Sequence, residues 1–327
     1  MKRFDRFAAL LAAAWAVTLL PSFGAAAQSF PARPVTLVVG FPPGGGVDIV
    51  ARQLADTLSE VLGQRVIVDN KAGAAGNVAM EYVARAKPDG YTLLMGNLGM
   101  LCANPSLYPG ASFDPAKDFA PIARVVVTPL VAVVPATLPV QTMEQFIALA
   151  RSKPGELNFA SGGNGNINHL AGELLKMQTG VKMQHVPYKG SAPAITDLVA
   201  GRVQLLIDGA NVVQPFVQQG TVRALALTGS TRSASMPNLV TAKEAGLPNF
   251  VIYGWQGVLA PTGTPPAVLE RLNAAIGEAL AKPELKARLS GQGTEPAFTS
   301  AAEFRDYIAA ERKRWSEVIT TAKIVAE

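Results

Sequence analysis

Val35-Thr-Leu-Val-Val-Gly-Phe-Pro-Pro-Gly-Gly-Gly46 joins a β-branched run to a glycine loop, and Val50, Leu54, Leu58 and Leu62 then recur at four-residue spacing. That is strand, loop and amphipathic helix in succession, the unit from which α/β proteins are built. The pattern continues outward. Val66-Ile-Val68, Thr92-Leu-Leu-Met95, Leu130-Val-Ala-Val-Val134 and Val203-Gln-Leu-Leu-Ile207 read as further buried strands. Thr142-Met-Glu-Gln145 and Ser300-Ala-Ala-Glu303 each fit a capping box that opens a helix. In the last helix Phe304, Tyr307, Ile308, Trp315, Val318 and Ile319 form an apolar stripe that Glu311 interrupts, and Arg312-Lys313-Arg314 reads as a solvated face. The fold class is therefore α/β.

Composition narrows the chemistry. The 327 residues are 49% apolar and 16% charged, which suits a packed globular chain of about two domains. The net charge of +5 is scattered along the chain, so no nucleic-acid partner is expected. A single cysteine, Cys102, excludes an internal disulfide and reads as a buried small hydrophobe. Two histidines, His169 and His185, show no metal-ligand spacing, and neither a metal nor a cofactor is expected.

The amino terminus reads as a targeting segment. Lys2, Arg3 and Arg6 precede an apolar run from Phe7 to Leu20, and Ala25-Ala-Ala27 supplies small residues for cleavage. That run of 14 residues is too short to cross a hydrocarbon core of roughly 30 Å. A signal peptide over 1–27 directs the chain out of the cytoplasm, and its removal lowers the net charge from +5 to +3.

Four loops at strand ends could hold a ligand. The first, Gly40 to Gly46, lies outside the carboxyl end of a strand, and its backbone N–H groups at a helix start suit an anion. It fits neither a dinucleotide fingerprint nor a P-loop. The second, Gly162-Gly-Asn-Gly-Asn166, is rich in amides and small residues. Tyr188 to Pro193 and Asp208 to Asn211 are the third and fourth. A hydrolase would need a nucleophile. Ser161 and His169, with Asp197 or Asp208, can be written as a triad, but no G-x-S-x-G surrounds any serine. His169 reads instead as a capping or supporting hydrogen-bonder, and the protein is not expected to be an enzyme.

Several unrelated blocks stand in order along the chain: Arg33-Pro34, Phe41-Pro-Pro-Gly-Gly45 with Asp48, Ala51 and Arg52, Pro88-Asp-Gly-Tyr-Thr-Leu93, and Asn104-Pro-Ser-Leu-Tyr108. They continue in Lys117-Asp-Phe-Ala-Pro121, Asn158-Phe-Ala-Ser161, His169-Leu-Ala-Gly-Glu173, Val186-Pro-Tyr-Lys-Gly-Ser-Ala192 and Ala260-Pro261 with Gly263-Thr-Pro265. Through these blocks the chain resembles the Bug family of solute receptors of tripartite tricarboxylate transporters, and the resemblance carries expectations of fold and function. It implies a two-lobed type II periplasmic-binding-protein fold, with 28–125 plus 255–327 as one lobe and 126–254 as the other. The implied function is capture of a small carboxylate in the periplasm for the transporter's membrane components, by a monomer.

By the same resemblance the ligand carboxylate lies against Phe41, Gly44, Gly45 and Gly46 through N–H groups and water, with Asp48 ordering the loop. Ser161, Asn164 and Gly165 meet it from the opposite lobe, with His169, Tyr188, Gly190, Ala192 and Asp208 nearby. Two positions depart from the family's habit. Gly96-Asn97-Leu98 lacks the usual hydroxyl residues, leaving Asn97 as the polar group there, and Gly209-Ala210 follows Asp208 in place of the commoner Asn and bulky residue. Such a wall would admit an aliphatic or aromatic carboxylate. The same architecture would serve a ligand-sensing partner of a membrane kinase, and the sequence does not separate the two roles. A secreted esterase is disfavoured by the missing nucleophile motif. Valine at Gly45 or Gly46 is expected to abolish binding by opposing a positive φ and filling the anion's space.

Overall fold

A computed structural model of the chain describes residues 30–321 and 323–325, so the signal-peptide reading lies outside the described residues. β1 (Val35–Val39), α1 (Gly46–Leu62), β2 (Val66–Asn70), α2 (Asn77–Ala84) and β3 (Thr92–Asn97) alternate in order. A π-helical turn, Gly99–Ala103, and the short α3 (Asn104–Leu107) lead to β4 (Phe119–Pro135), a strand of 17 residues. Next come α4 (Met143–Ser152), β5 (Asn158–Ser161), α5 (Ile167–Thr179), β6 (Gln184–Pro187), α6 (Ser191–Val199), β7 (Leu205–Gly209), α7 (Ala210–Gln218) and β8 (Val222–Leu227). β9 (Tyr253–Pro261), α8 (Pro266–Ala281), α9 (Pro283–Gly291), β10 (Glu295–Pro296) and α10 (Ala301–Thr321) complete the order.

The strands run β2-β1-β3-β9-β4-β7-β5-β6, with β8 and β10 also paired to β4. β1 is parallel to β2 and β3, and β5 is parallel to β6 and β7. β4 belongs to both groups. It pairs with β9 from Phe119 to Pro129, then with β7 and β8 from Leu130 to Pro135. The change of partner between Pro129 and Leu130 is where the chain passes from one α/β lobe into the other.

Local chemistry explains the elements. Val50, Leu54, Leu58 and Leu62 of α1 are all buried, and Gly63 ends the helix in the left-handed conformation at φ 67°. Ser300 and Glu303 form the full reciprocal box, Ser300 N donating to Glu303 Oε2 at 2.8 Å and Glu303 N to Ser300 Oγ at 3.2 Å. Thr142 accepts from Gln145 N, but Gln145 Oε1 reaches back one residue further, to Gln141 N. Beyond the change of partner, β4 is buried on both faces. Val131 and Val133 pack with Ala194 and Leu198 in one cluster, and Leu130, Ala132 and Val134 belong to the larger core. That two-sided burial gives the unbroken apolar run seen in the sequence.

Four readings change. β4 is far longer than Leu130–Val134, because Pro121 and Pro129 break its sequence pattern and register shifts follow Pro121 and Arg124. The strand at 66–68 is not wholly buried, with Ile67 44% exposed at the sheet edge. Glu311 is a buried member of the α10 stripe, its Oε2 accepting from the indoles of Trp315 at 3.1 Å and Trp255 at 3.4 Å. Arg314 is not purely solvated either, since it donates to Val251 O and lies over the Trp315 ring.

Candidate functional site

Between the lobes lies a cleft enclosing about 740 Å³ of atom-free space, its mouth included. Its walls are the first turns of four helices, the loop Phe41–Pro43, the segment Asn97–Gly99 at the end of β3, the middle of β4 and the start of β9. Gly45, Gly46 and Val47 open α1; Asn166, Ile167 and Asn168 open α5; Gly190, Ser191 and Ala192 open α6; Gly209 and Asn211 open α7. Three of these helices have a glycine N-cap and no side-chain cap. In the fourth, Asn166 accepts only from Ile167 N. Four helix starts, where N–H groups lack intrahelical partners and the helix dipole is positive, therefore border one space. Among the described residues, no lysine or arginine lines the cleft. Its single titratable lining residue is Asp208.

The glycine loop is held from behind. Asp48 Oδ2 accepts from Gly44 N at 3.0 Å, and the carboxylate also accepts from Arg52 Nε and Asn70 Nδ2. Burial alone would raise the Asp48 carboxyl, but those hydrogen bonds outweigh it and keep it below the usual carboxylate range. Asn70 also donates to Phe41 O at 2.9 Å, fixing the other side of the loop.

Close approach across the cleft explains the glycines. A Cβ on Gly46 would lie 3.3 Å from Val212 Cγ2 and 3.4 Å from Asn211 Nδ2 on the facing lobe. Gly190, at φ 112°, would set a Cβ 3.2 Å from Pro42 Cδ. The positive φ in the first loop belongs to Gly44 at 84°, while Gly45 is extended at −81° and Gly46 begins the helix. A valine at Gly45 or Gly46 therefore meets no left-handed backbone, and only the steric half of that expectation applies. Gly46 O accepts from Asn211 Nδ2 at 3.3 Å and Gln256 Nε2 at 3.2 Å, tying α1 to α7 and β9.

Of the residues singled out by sequence, Phe41, Gly45, Gly46, Asn97, Gly190, Ala192 and Asp208 line the cleft. Asn97 also accepts from Met100 N at 2.9 Å. Gly44, within the loop, and Asp48, behind it, are not part of the wall. Ser161, Asn164, Gly165 and His169 form the second loop's support rather than the cleft wall. Ser161 is fully buried, and its hydroxyl meets His185 Nε2 at 2.6 Å, not His169. His169 Nδ1 accepts from Gly165 N at 3.2 Å, and its ring stacks on His185 at 3.8 Å between centroids. Burial, with Lys176 nearby, lowers His169 to about 4; burial, then His169 and Lys176, lower His185 to about 3. Tyr108 Oη donates to Asn164 O across the lobes. Tyr188 turns outward, donating to Asp197 Oδ2 at 2.8 Å, and burial followed by that bond raises its phenol to about 12.

The sequence reading missed Thr128, Leu130, Gly254, Trp255 and Gln256 as wall residues. They lie in β4 and β9 rather than in loops.

Residues 50–324 match the tripartite tricarboxylate transporter family receptor family, TctC. The chain belongs to this family. BugT of Bordetella pertussis is 38% identical over 301 residues, covering 91% of this chain and 92% of BugT. Among solved structures similar to this TctC-family chain is R. palustris Rpa4515 with adipate. It is 38% identical at a TM-score of 0.89, covering 91% of this chain and all (100%) of that one. MatC (Rpa3494) from Rhodopseudomonas palustris with bound malate is 34% identical at a TM-score of 0.83, covering 89% of this chain and 100% of that one. The fold is that of the two-lobed type II periplasmic-binding proteins, and family and fold alike are those of solute-binding receptors.

Proposed function

We propose that this TctC-family protein is a periplasmic receptor that captures a small carboxylate in the cleft between its lobes and delivers it to the membrane components of a tripartite tricarboxylate-type transporter. One observation carries the reading: four helix N-termini from both lobes meet in a cleft without a cationic side chain. N–H groups at positive helix ends bind an anion by direction as well as by charge, each dipole contributing roughly 0.3–2 kcal/mol. Carboxylates bound by Rpa4515 and MatC support the same ligand class.

The chain acts as a monomer exported by its segment 1–27, with lobes over 28–125 plus 255–327 and over 126–254. A ligand touching α1 on one lobe and α5, α6 and α7 on the other favours the closed arrangement, and closure is the signal a membrane partner reads. Ser161 does not suggest catalysis, because its hydroxyl is buried behind the second loop. Screening the mature protein against a carboxylate panel by thermal shift, followed by calorimetry, tests the proposal. Saturable binding of a carboxylate is expected, and a panel that leaves the melting temperature unmoved while a cationic or neutral solute raises it refutes the anion assignment.

A further inference from the structure

Two acceptors in the cleft wall have no donor. Asp208 Oδ2 and Gln256 Oε1 are buried without a hydrogen-bond partner, and both residues line the cleft. Both side chains are held in place. Gln256 is fixed by its Nε2 donating to Gly46 O, and Asp208 Oδ1 accepts from Gly209 N at 2.7 Å. The amide of Asn168, beside Asp208, is committed to Ile207 O at 2.9 Å. Burial raises the Asp208 carboxyl, and the neighbouring Ser191, Asn168 and Gly209 groups offset this only in part, with neither side chain donating to Oδ2 in hydrogen-bonding geometry.

An anion brought beside this carboxylate is repelled unless a proton lies between them. A hydroxyl or ammonium on the ligand supplies that proton and converts the repulsion into a charge-assisted hydrogen bond. A site with a buried acceptor discriminates strongly, because an analogue lacking the donor leaves the acceptor desolvated and unpaired. We propose that Asp208 determines specificity in this cleft: Oδ2 accepts from a hydroxyl or ammonium of the ligand, so that hydroxy- or amino-carboxylates are selected over the same carbon skeleton without the donor. This rests on the receptor reading above and adds the ligand's second functional group to it. Gln256 Oε1, beside the α1 loop, offers a second acceptor of the same kind.

Calorimetry at neutral pH on two matched sets tests this: succinate, malate and aspartate, and glutarate, 2-hydroxyglutarate and glutamate. In the better-bound set, a donor-bearing member should bind roughly 10–100-fold tighter than the plain dicarboxylate. Asp208→Asn keeps an oxygen for Gly209 N and sets an N–H donor in place of Oδ2. It should narrow or reverse that preference, and the wild-type comparison stands even if the variant folds poorly. The inference is overturned if the plain acid binds wild type as tightly as its hydroxy and amino forms, or if the variant weakens every ligand by the same factor. Binding of plain acids alone leaves the receptor reading intact and removes only the role of Asp208. If no member of either set binds but a cationic or neutral solute does, both fall.

Discussion

Gly46→Val probes the closest approach of the two lobes. The added Cβ would lie 3.3 Å from Val212 Cγ2 and 3.4 Å from Asn211 Nδ2, and the branched methyls need more room still. Relieving that crowding by parting the lobes breaks the hydrogen bond from Asn211 Nδ2 to Gly46 O at 3.3 Å, whereas Gln256 shares a lobe with Gly46 and keeps its own. Overpacking costs about 1–3 kcal/mol. One net hydrogen bond contributes about 0.5–1.5 kcal/mol more. The closed state should therefore lose roughly 1.5–4.5 kcal/mol relative to the open one, and at 1.4 kcal/mol per tenfold even the lower end weakens binding about tenfold. The lobe cores are untouched, so melting without ligand should change little. The assay is calorimetry with the tightest carboxylate of the panel, beside small-angle scattering with and without it. Gly291→Ala in α9 is the control: it lies outside the cleft, its Cβ meets nothing within 4 Å, and binding should be unaltered. If Gly46→Val binds as wild type does, the lobes do not close over Gly46 and the argument from close approach is wrong.

Three further outcomes are expected. Because His169 and His185 titrate near 4 and 3 when folded but near 6.5 unfolded, the unfolded chain binds more protons as pH falls below neutrality; stability is complete above about 6.5 and declines below it by up to about 1.4 kcal/mol per pH unit for each histidine. Melting from pH 7 to 4 should show that slope reduced in His185→Gln, and an unchanged slope would place the proton uptake elsewhere. Glu311→Leu leaves the Trp255 and Trp315 indoles without their acceptor at about 1–3 kcal/mol each, read as a drop of several degrees in melting temperature, whereas unchanged melting would mean the bonds contribute nothing net. Trp255 lines the cleft and Trp315 does not, so ligand should shift the emission of Trp255 alone: Trp255→Phe should abolish that shift and Trp315→Phe should leave it in place.

What the sequence disclosed followed from local chemistry. The strand, glycine loop and α1 stripe were legible because burial on one helix face and both sheet faces imposes regular spacing. The capping box at Ser300 was legible because its two hydrogen bonds are three residues apart. The cleft's loops were legible for the same reason, since small residues gather where backbones approach closely. Contacts made over long sequence distances left no such pattern. Gln256 and Thr128 sit in strands whose prolines and bulges disguise them, and nothing local marks which of their faces meets the ligand. The Ser161–His185 contact was not legible, because β5 and β6 bring His185 alongside it only through the sheet register Ser161–Pro187 and Phe159–His185. Glu311 looked like a break in an apolar stripe, and only the fold supplies the two indoles that make it a core residue.

A co-crystal structure of the mature protein with its tightest carboxylate tests the central claim most directly. The ligand's oxygens should lie within hydrogen-bonding distance of first-turn N–H groups of α1 and of at least one of α5, α6 and α7, with no lysine or arginine in contact. A carboxylate paired to a basic side chain, or bound outside the cleft between the lobes, would contradict it.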